Sequence, residues 1–227
     1  MIDAHPESFL GYLDDHDLAD LLTLGAERRF MPGSFLLLEG DPSNHVLLLL
    51  EGQVKVYRVA PDGSRLLLAI RGPGDVLGEL AALGGQDAAR GATVEALEPS
   101  RARVLSAVTF LDFLGQRPQA CLALARNVRA RLADAERMRV ETVVHDATTR
   151  VARCLTDLAV RHGVRAEPDG PLMLRISQEE LAGWVGASRE SVARAMRSLR
   201  NRKFVLTRYR QIQIIDLDGL SSAFPVL

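Results

Sequence analysis

The sequence predicts an α+β protein with an N-terminal antiparallel β-roll, one long helix and a C-terminal pair of helices joined by a tight turn. Three observations support this fold class. Short aliphatic segments alternate with glycine turns over residues 30–106, a helical heptad pattern begins near Gln119, and two helical patterns meet at Gly186. A chain of 227 residues is long enough for two modest domains, each with its own core.

The overall composition excludes several classes of protein. Apolar residues make up 47% of the chain and charged residues 25%, which is ordinary for a globular protein. The sequence has no apolar run of membrane-spanning length and no secretion signal at its start, so we expect a cytoplasmic protein that does not bind membranes. The two cysteines, Cys121 and Cys154, are too few for a four-cysteine metal or iron–sulfur site.

The net charge of −1 conceals an asymmetry along the chain. Residues 1–145 contain 15 basic and 20 acidic side chains, whereas residues 146–227 contain 13 basic and 9 acidic ones. Residues 188–210 hold eight arginines and lysines and a single acid, Glu190. This change of sign indicates two domains, of which the second either meets a polyanion or carries a solvated basic face.

Five segments of the N-terminal part are predicted to be short strands, because they are rich in Val, Leu and Ile and glycines lie between them. They are Ser34–Leu38, Val46–Leu50, Gln53–Val59, Arg65–Ile70 and Ala92–Leu97. Pro61-Asp62-Gly63 predicts a tight turn between two of them, and the overall spacing is typical of a small antiparallel barrel or roll. Ahead of the strands, apolar residues recur at helical spacing from Phe9 to Leu24.

A long helix is predicted from about Gln119 to Val144, which corresponds to about 38 Å. Apolar residues recur along it at alternating steps of four and three, and we call these positions the seam: Cys121, Ala125, Val128, Leu132 and Ala135. The seam predicts either packing on the chain's own roll or an interface with a second copy, and its charged flanks favour the interface. Arg139 also falls on the seam, and it weakens the prediction of an interface towards the C-terminal end of the helix.

A further helix is predicted from Ala147 to Val160, with Asp146 as its N-cap and Gly163 at its end. Residues 164–171 are expected to form a loop. The predicted domains are therefore a β-roll over residues 1–115, a long helix and hinge over residues 116–145, and a C-terminal domain over residues 146–227.

Two helical patterns, Gln178–Gly186 and Ser188–Arg202, are joined by a glycine turn. Ala182 allows the helices to cross closely, and the apolar residues predicted to close their core are Leu181, Val185, Val192 and Ala195. Ser177 with a glutamate three residues into the helix predicts an N-terminal cap. This arrangement is typical of a helix-turn-helix, whose second helix enters the major groove of DNA. An αα-hairpin without a ligand is the alternative.

The outward face of the second helix carries side chains that suit double-stranded DNA. The candidate DNA-binding residues are Ser188, Arg189, Glu190, Ser191, Arg194, Arg197 and Gln178. Arg189 can donate to guanine O6 and N7, Glu190 can accept from cytosine N4, and Arg194 lies one turn beyond. The serines, Arg197 and Arg200 suit phosphates. A hairpin is predicted over Phe204–Ile215, with Arg208-Tyr209-Arg210 at its tip.

A second candidate site lies in the roll. Gly78-Glu79-Leu80-Ala81 begins a short helix after a strand, and Arg90-Gly91-Ala92-Thr93 begins the next strand. A glutamate suits a ribose hydroxyl, an arginine suits a phosphate, and the free amides at a helix start can hold an anion. A surface Glu–Arg ion pair is the alternative interpretation.

These motifs resemble those of the cyclic-AMP receptor protein superfamily (CRP/FNR), which comprises catabolite activator protein and its anaerobic-regulator relatives. The resemblance spans about residues 5–220 and rests on Gly78-Glu79-Leu80, Arg90-x-Ala92-Thr93, the long helix, Asp146 with Arg150, and Ser188-Arg189-Glu190-Ser191-Val192 with Arg194. It implies a homodimeric transcription regulator with a cyclic-nucleotide-binding-type roll that senses an effector and a winged helix-turn-helix. It also implies a palindromic site related to TGTGA and contact with RNA polymerase, which we place at residues 164–171.

The resemblance implies that a cyclic nucleotide is held by Gly78, Glu79, Leu80, Arg90, Gly91, Ala92, Ala135 and Glu136. The sequence departs from the family at Gly91, where a serine or threonine donates to the phosphate, and at Ala135-Glu136, where a Thr-Ser pair holds adenine. The missing hydroxyl at Gly91 removes one donor to the phosphate, and the loss of the Thr-Ser donors weakens or changes base recognition. Glu136 could accept from guanine N1 and N2, so both cyclic AMP and cyclic GMP are candidates. The same regulator without a cyclic nucleotide is the alternative.

No enzyme, haem, metal or iron–sulfur site is expected. His45 and His145 are isolated in the sequence, so an axial haem ligand is not indicated. The residues nearest to a catalytic set, His16, Asp17 and Asp20, lie on one amphipathic helix without a convergent partner.

Overall fold

The computed structural model describes residues 2, 4–84, 88–165, 170–208 and 211–225. The chain forms two compact units. The first comprises Met1–Arg58 and Leu68–Asp134, and the second comprises Val59–Leu67 and Ala135–Leu227. The division therefore falls within the predicted long helix.

The strands of the N-terminal roll form two four-stranded sheets in the part of the chain that the structure describes. The strands are β1 (Ala26–Phe30), β2 (Phe35–Leu37), β3 (Val46–Glu51), β4 (Val54–Val59), β5 (Arg65–Arg71), β6 (Val76–Leu77), β7 (Thr93–Ala96) and β8 (Ser100–Leu105). Their orders are β1-β8-β3-β6 and β2-β7-β4-β5. One aliphatic cluster with members in both sheets, including Leu47 and Leu49 of β3 and Val54 of β4, fills the roll.

The five predicted strands are confirmed as β2, β3, β4, β5 and β7 with small shifts of their ends, whereas β1, β6 and β8 were not predicted. Most side chains of β1 are exposed. Backbone pairing along its whole length joins this strand to β8, and Glu27 also forms ion pairs with Arg101 at 2.7 Å and with Arg103 at 2.8 Å. An exposed strand of mostly charged residues has no apolar alternation that would reveal it in the sequence.

Helices precede, interrupt and follow the strands of the roll. They are α1 (Asp15–Leu21), α2 (Glu79–Leu83), α3 (Ala107–Gln116) and α4 (Pro118–Val144). The helical stretch predicted from Phe9 to Leu24 divides into a 3-10 turn at Leu10–Tyr12 and α1, which begins after its N-cap Asp14. Helix α3, which Ser106 caps, was not predicted.

Helix α4 confirms the predicted long helix and extends over 27 residues. One face is buried, and it consists of Ala120, Ala123, Leu124 and Asn127. The seam lies on another face, where Cys121, Ala125, Leu132 and Ala135 are exposed and Val128 is partly buried. The helix therefore packs on its own roll with one face and leaves most of the seam uncovered in the single chain.

The C-terminal part is an α+β domain with one four-stranded sheet of order β11-β12-β10-β9. Its elements are α5 (Ala147–His162), β9 (Val164–Arg165), β10 (Leu172–Leu174), α6 (Gln178–Val185), α7 (Arg189–Asn201), β11 (Val205–Arg208), β12 (Gln211–Ile214) and α8 (Leu217–Ala223). The predicted N-cap of α5 is confirmed, because Asp146 accepts a hydrogen bond from the Thr149 amide at 2.8 Å.

The predicted loop at 164–171 is wrong at its start, because β9 pairs with β10 through the backbone of Val164 and Arg165. Residues 166–169, the middle of the segment assigned to RNA polymerase, lie outside the described residues. The hairpin predicted over 204–215 is confirmed as β11 and β12, although Tyr209 and Arg210 at its tip also lie outside them.

Candidate DNA-binding surface and nucleotide pocket

Helices α6 and α7 pack through a small apolar core. Its predicted members are all buried, namely Leu181, Ala182, Val185, Val192 and Ala195. Gly186 follows α6 in the left-handed conformation with φ of 60°, which glycine adopts without steric cost. Ser177 and Glu180 form a reciprocal capping box at the start of α6. The helix-turn-helix is therefore held by the local features that predicted it.

The start of α7 faces solvent and carries the candidate DNA-binding residues. Ser188 is the N-cap and accepts a hydrogen bond from the Ser191 amide at 3.2 Å. The exposed candidates are Ser188, Arg189, Glu190, Arg194 and Arg197, and the partly buried ones are Ser191 and Gln178. Arg200 donates to Thr207 Oγ1 of β11 at 2.9 Å, so part of its guanidinium joins α7 to the hairpin.

One contact on this surface was not predicted. Arg189 forms an ion pair with Glu179, an exposed residue in the first turn of α6. The neighbouring acid, Glu180, accepts instead from the Ser177 amide at 2.9 Å. Periodicity along one helix could not have revealed the pair, because its two members lie on different helices.

Arg90 is a buried member of the candidate pocket, with 3% of its surface exposed. Its three nitrogens each donate to a protein oxygen: Nη1 to Gly78 O at 2.9 Å, Nη2 to His45 O at 2.5 Å and Nε to Ser43 Oγ at 3.2 Å. A guanidinium carries five N–H groups, so two remain for an anion. A Cβ at Gly78 would lie 2.5 Å from Arg90 Nη1, and Gly78 has a φ of 81°, so this position requires glycine.

Glu79, also 3% exposed, is bound by a residue that the sequence analysis did not select. Arg131 of α4 donates from Nη1 to Glu79 Oε1 at 2.6 Å, and from Nη2 to Val76 O at 2.8 Å. The carboxylate oxygen Oδ1 of Asp75 lies 3.4 Å from the same Nη2. Arg131 follows Leu124 by seven residues and Asn127 by four, on the buried face of α4. That helical spacing could have identified it.

The charges around Arg90 act in opposite directions on its proton affinity. Burial lowers the pKa of Arg90, and the carboxylates of Asp41 and Glu79 partly offset this effect. Burial, followed by the charge of Arg90, also lowers the pKa of His45, so this imidazole is neutral at neutral pH. Burial and the nearby charge of Arg131 lower the pKa of Arg71 on β5. The pocket therefore holds guanidinium groups beside carboxylates, and Arg90 is the member whose charge suits an anionic ligand.

The remaining pocket candidates differ in their surroundings. Leu80 is 66% exposed, Gly91 is exposed and Ala92 is partly buried. A Cβ built on Gly91 would meet no atom of the described residues within 4 Å, so among those residues the space that a hydroxyl-bearing side chain would fill is open. Ala135 and Glu136 are exposed on α4 beyond Asp134, in the second unit, and their part in the pocket stays a prediction.

Other kinds of site receive no support in the described ranges. No group of three or more His, Cys, Asp and Glu side chains there is arranged to hold a metal ion. No helix within those ranges combines the length and hydropathy that a membrane crossing requires.

A roll with a buried glutamate and arginine, followed by a long helix and a helix-turn-helix with a basic outward face, defines a DNA-binding regulator with a sensory domain. Comparison with known families gives the same class. The family called cyclic nucleotide-binding domain matches residues 27–117, and the Crp-like helix-turn-helix domain matches residues 149–223. The chain belongs to the CRP/FNR family of transcription regulators, whose members bind DNA and are not enzymes.

Three relatives illustrate the similarity. The CRP-like cAMP-activated global transcriptional regulator of Mycobacterium tuberculosis is 29% identical over 85% of each chain. The cyclic AMP receptor protein of Thermus thermophilus is 30% identical over 79% of this chain and 80% of its own length. Among solved structures, the c-di-GMP responsive global regulator CLP of Xanthomonas campestris has a TM-score of 0.76 at 23% identity, over 89% of this chain and 100% of that one. The last likeness concerns the fold alone.

Proposed function

We propose that this protein is a homodimeric regulator that binds a palindromic site related to TGTGA through α7 and responds to a cyclic nucleotide in its roll. The observation that carries the DNA half of the proposal is the exposed start of α7, where a serine cap is followed by Arg189 and Glu190. Its proposed place of action is the cytoplasm, where it reaches DNA and contacts RNA polymerase.

Base contacts and phosphate contacts divide along α7. Arg189 donates two hydrogen bonds to guanine O6 and N7, and Glu190 accepts one from cytosine N4, with Arg194 on the next turn. The residues proposed to contact phosphates are Ser188, Ser191, Arg197 and Arg200, and Gln178 at the start of α6 is a further candidate. Glu190 lowers non-specific affinity because it repels phosphates, and this cost favours discrimination between bases over general DNA coating.

The exposed seam of α4 supports a homodimer. Leu132 is 59% exposed, and it lies in the seam between the partly buried Val128 and the exposed Ala135. A homodimer that reads two half-sites in successive major grooves requires its two α7 helices to lie about 34 Å apart. A palindromic site follows from the twofold symmetry of such a dimer.

The residues of the roll fit a cyclic nucleotide. Glu79 supplies a carboxylate for a ribose hydroxyl, Arg90 retains two N–H groups for the cyclic phosphate, and Gly91 leaves open space beside them. The names of the Mycobacterium and Thermus relatives, which refer to cyclic AMP, support a nucleotide of this class, and Glu136 keeps cyclic GMP a candidate.

A second candidate is the same DNA-binding regulator without a cyclic nucleotide. The observation that favours it is that both charged groups already have hydrogen-bond partners within the protein. Arg90 donates to three protein oxygens, and Glu79 accepts from Arg131. Gly91 supplies no hydroxyl that would help a phosphate to compete for Arg90.

Calorimetric titration with cyclic AMP and with cyclic GMP separates the two candidates. A DNA shift assay on a TGTGA palindrome and on a scrambled duplex, at fixed salt and with or without each nucleotide, completes the test. Binding of a nucleotide that strengthens the palindrome complex supports the first candidate, provided that Arg90→Leu abolishes the effect. Discrimination without any bound nucleotide supports the second. A monomer that binds both duplexes equally contradicts the DNA proposal.

A further inference from the structure

The contact between Arg189 and Glu179 joins the first turns of α6 and α7. Both side chains are largely exposed. Exposed ion pairs of this kind contribute little to the free energy of unfolding, since water screens them and two long side chains lose freedom. A contribution to the stability of the helix-turn-helix therefore does not explain why Glu179 and Arg189 pair.

Without a cationic partner, a carboxylate at position 179 would be unfavourable for DNA binding. Glu179 lies two residues after the N-cap of α6, in the same turn as the candidate phosphate ligand Gln178. A carboxylate there repels a phosphate backbone. Glu180 beside it is already used in the capping box, whereas the contact that the structure gives Glu179 is with Arg189.

The ion pair also changes the charge, the available N–H groups and the conformational freedom of Arg189. Arg189 begins α7, where the positive end of the helix dipole disfavours a cation, and the Glu179 carboxylate compensates that charge. One N–H of Nη2 is engaged by Glu179, which leaves four of the five N–H groups for base edges. A side chain held in one conformation loses less entropy when it meets a guanine than a freely rotating arginine does.

We propose that Glu179 is a specificity-determining residue that positions Arg189 for a guanine and lowers the affinity of this surface for phosphates. The proposal rests on DNA binding through α7. On a correct site, Arg189 donates to the base while Glu179 keeps hold of its guanidinium. Glu179 repels the backbone on every sequence alike, and on other DNA it also neutralises an Arg189 that has no guanine to meet, so binding there is weaker.

Glu179→Gln tests this proposal, because the amide keeps the size of the side chain and loses its charge. Asp218→Asn is the matched control, since it removes one charge from an exposed residue of the same unit. The DNA probes are the duplex that the wild-type protein enriches from a randomised library and a scrambled duplex of the same composition. Dissociation constants are measured against salt for both probes, with cyclic AMP, with cyclic GMP and with neither.

Glu179→Gln is expected to bind the scrambled duplex about fivefold more tightly and to steepen the salt slope of log K by about 0.9, because one cation is released for phosphate contact. The ratio of specific to non-specific affinity is expected to fall about fivefold or more, whereas Asp218→Asn changes it less than about twofold. In an Arg189→Ala background, Glu179→Gln is expected to leave the ratio unchanged, because the residue to be positioned is absent. Circular dichroism and thermal unfolding confirm that each variant is folded.

An unchanged specificity ratio in Glu179→Gln overturns the proposal, as does an equal change in Asp218→Asn. A fall of the ratio that persists in the Arg189→Ala background assigns Glu179 a role independent of Arg189 and also overturns it. Failure of the proposed function is recognised separately, because the enriched duplex then lacks a TGTGA palindrome. A library that yields no enriched sequence contradicts both.

Discussion

Arg131 of the long helix binds Glu79 of the roll through Nη1 and Oε1 at 2.6 Å. The Glu79 side chain is almost fully buried and that of Arg131 largely so. The same guanidinium donates to Val76 O, so it joins α4 to the strand that leads into the candidate pocket. A ligand that took up the Glu79 carboxylate would compete with Arg131 of α4 for that group.

Loss of the arginine from this pair is expected to destabilise the first unit. Arg131→Met leaves the Glu79 charge buried without its cation, and we expect the free energy of unfolding to fall by about 3 kcal/mol. Urea unfolding followed by circular dichroism measures the change. Arg129→Met, an exposed arginine of the same helix, is the control and is expected to change stability by less than about 0.5 kcal/mol. Equal losses in the two variants would contradict the importance of the pair.

A hydroxyl at position 91 is expected to strengthen nucleotide binding. Gly91→Ser places a donor in open space, and one hydrogen bond to the charged phosphate increases affinity about tenfold. Gly91→Ala has the same backbone restriction without the hydroxyl and is expected to leave the affinity near the wild-type value. Calorimetry with cyclic AMP and cyclic GMP provides the measurement. An equal effect of alanine and serine would show that the hydroxyl makes no contact.

Truncation of Arg189 is expected to relax the DNA sequence preference. Arg189→Ala should cost about 1–3 kcal/mol on the correct site, with the loss confined to one guanine position of each half-site. Arg197→Ala, which removes a proposed phosphate ligand, should weaken all sequences alike and reduce the salt slope by about 1. Competition against single-base variants of the site distinguishes these patterns. Uniform loss in Arg189→Ala would reassign Arg189 to a phosphate.

A charge in the seam is expected to dissociate the proposed homodimer. Leu132→Glu places two carboxylates opposite each other when two copies meet along α4, and like charges repel most strongly where water is excluded. Analytical ultracentrifugation is expected to show a monomer. Ala133→Glu adds the same charge at an exposed position beside the seam and should leave the dimer intact. A dimeric Leu132→Glu would move the interface elsewhere.

The N-cap of α5, Asp146, is expected to make the free energy of unfolding depend on pH in the acidic range. Hydrogen bonds from the amide and side chain of Thr149 lower the pKa of Asp146 in the folded state. The folded protein therefore binds this proton less tightly than the unfolded chain does. The stabilisation is present above the ordinary aspartate pKa of about 3.9 and is lost as the pH falls below it.

Asp146→Ala is accordingly expected to lower stability by about 1 kcal/mol at neutral pH, with a smaller deficit at pH values below about 4. Asp146→Asn keeps a capping acceptor that does not titrate, so its stability should stay near that of the wild type at neutral pH. Thermal unfolding across the pH range measures both variants. A deficit in Asp146→Ala that is the same at every pH would exclude the ionised cap as its cause.

The sequence by itself determined the elements whose hydrogen bonds and contacts are local. The capping box of Ser177 and Glu180, the cap at Asp146 and the left-handed turn at Gly186 all follow from residues within a few positions of one another. Helical spacing likewise predicted the buried core between α6 and α7. Such features depend on the chain's immediate neighbours, so short-range patterns reveal them.

Only the tertiary structure decided which partner each charged side chain meets. Arg131 and Glu79 are 52 residues apart, and Arg90 reaches His45 O across 45 residues. The pairing of Glu179 with Arg189, like that of β1 with β8, depends on how separate elements pack. A long charged side chain can bind any partner within its reach, and the packing of distant elements determines which partners those are.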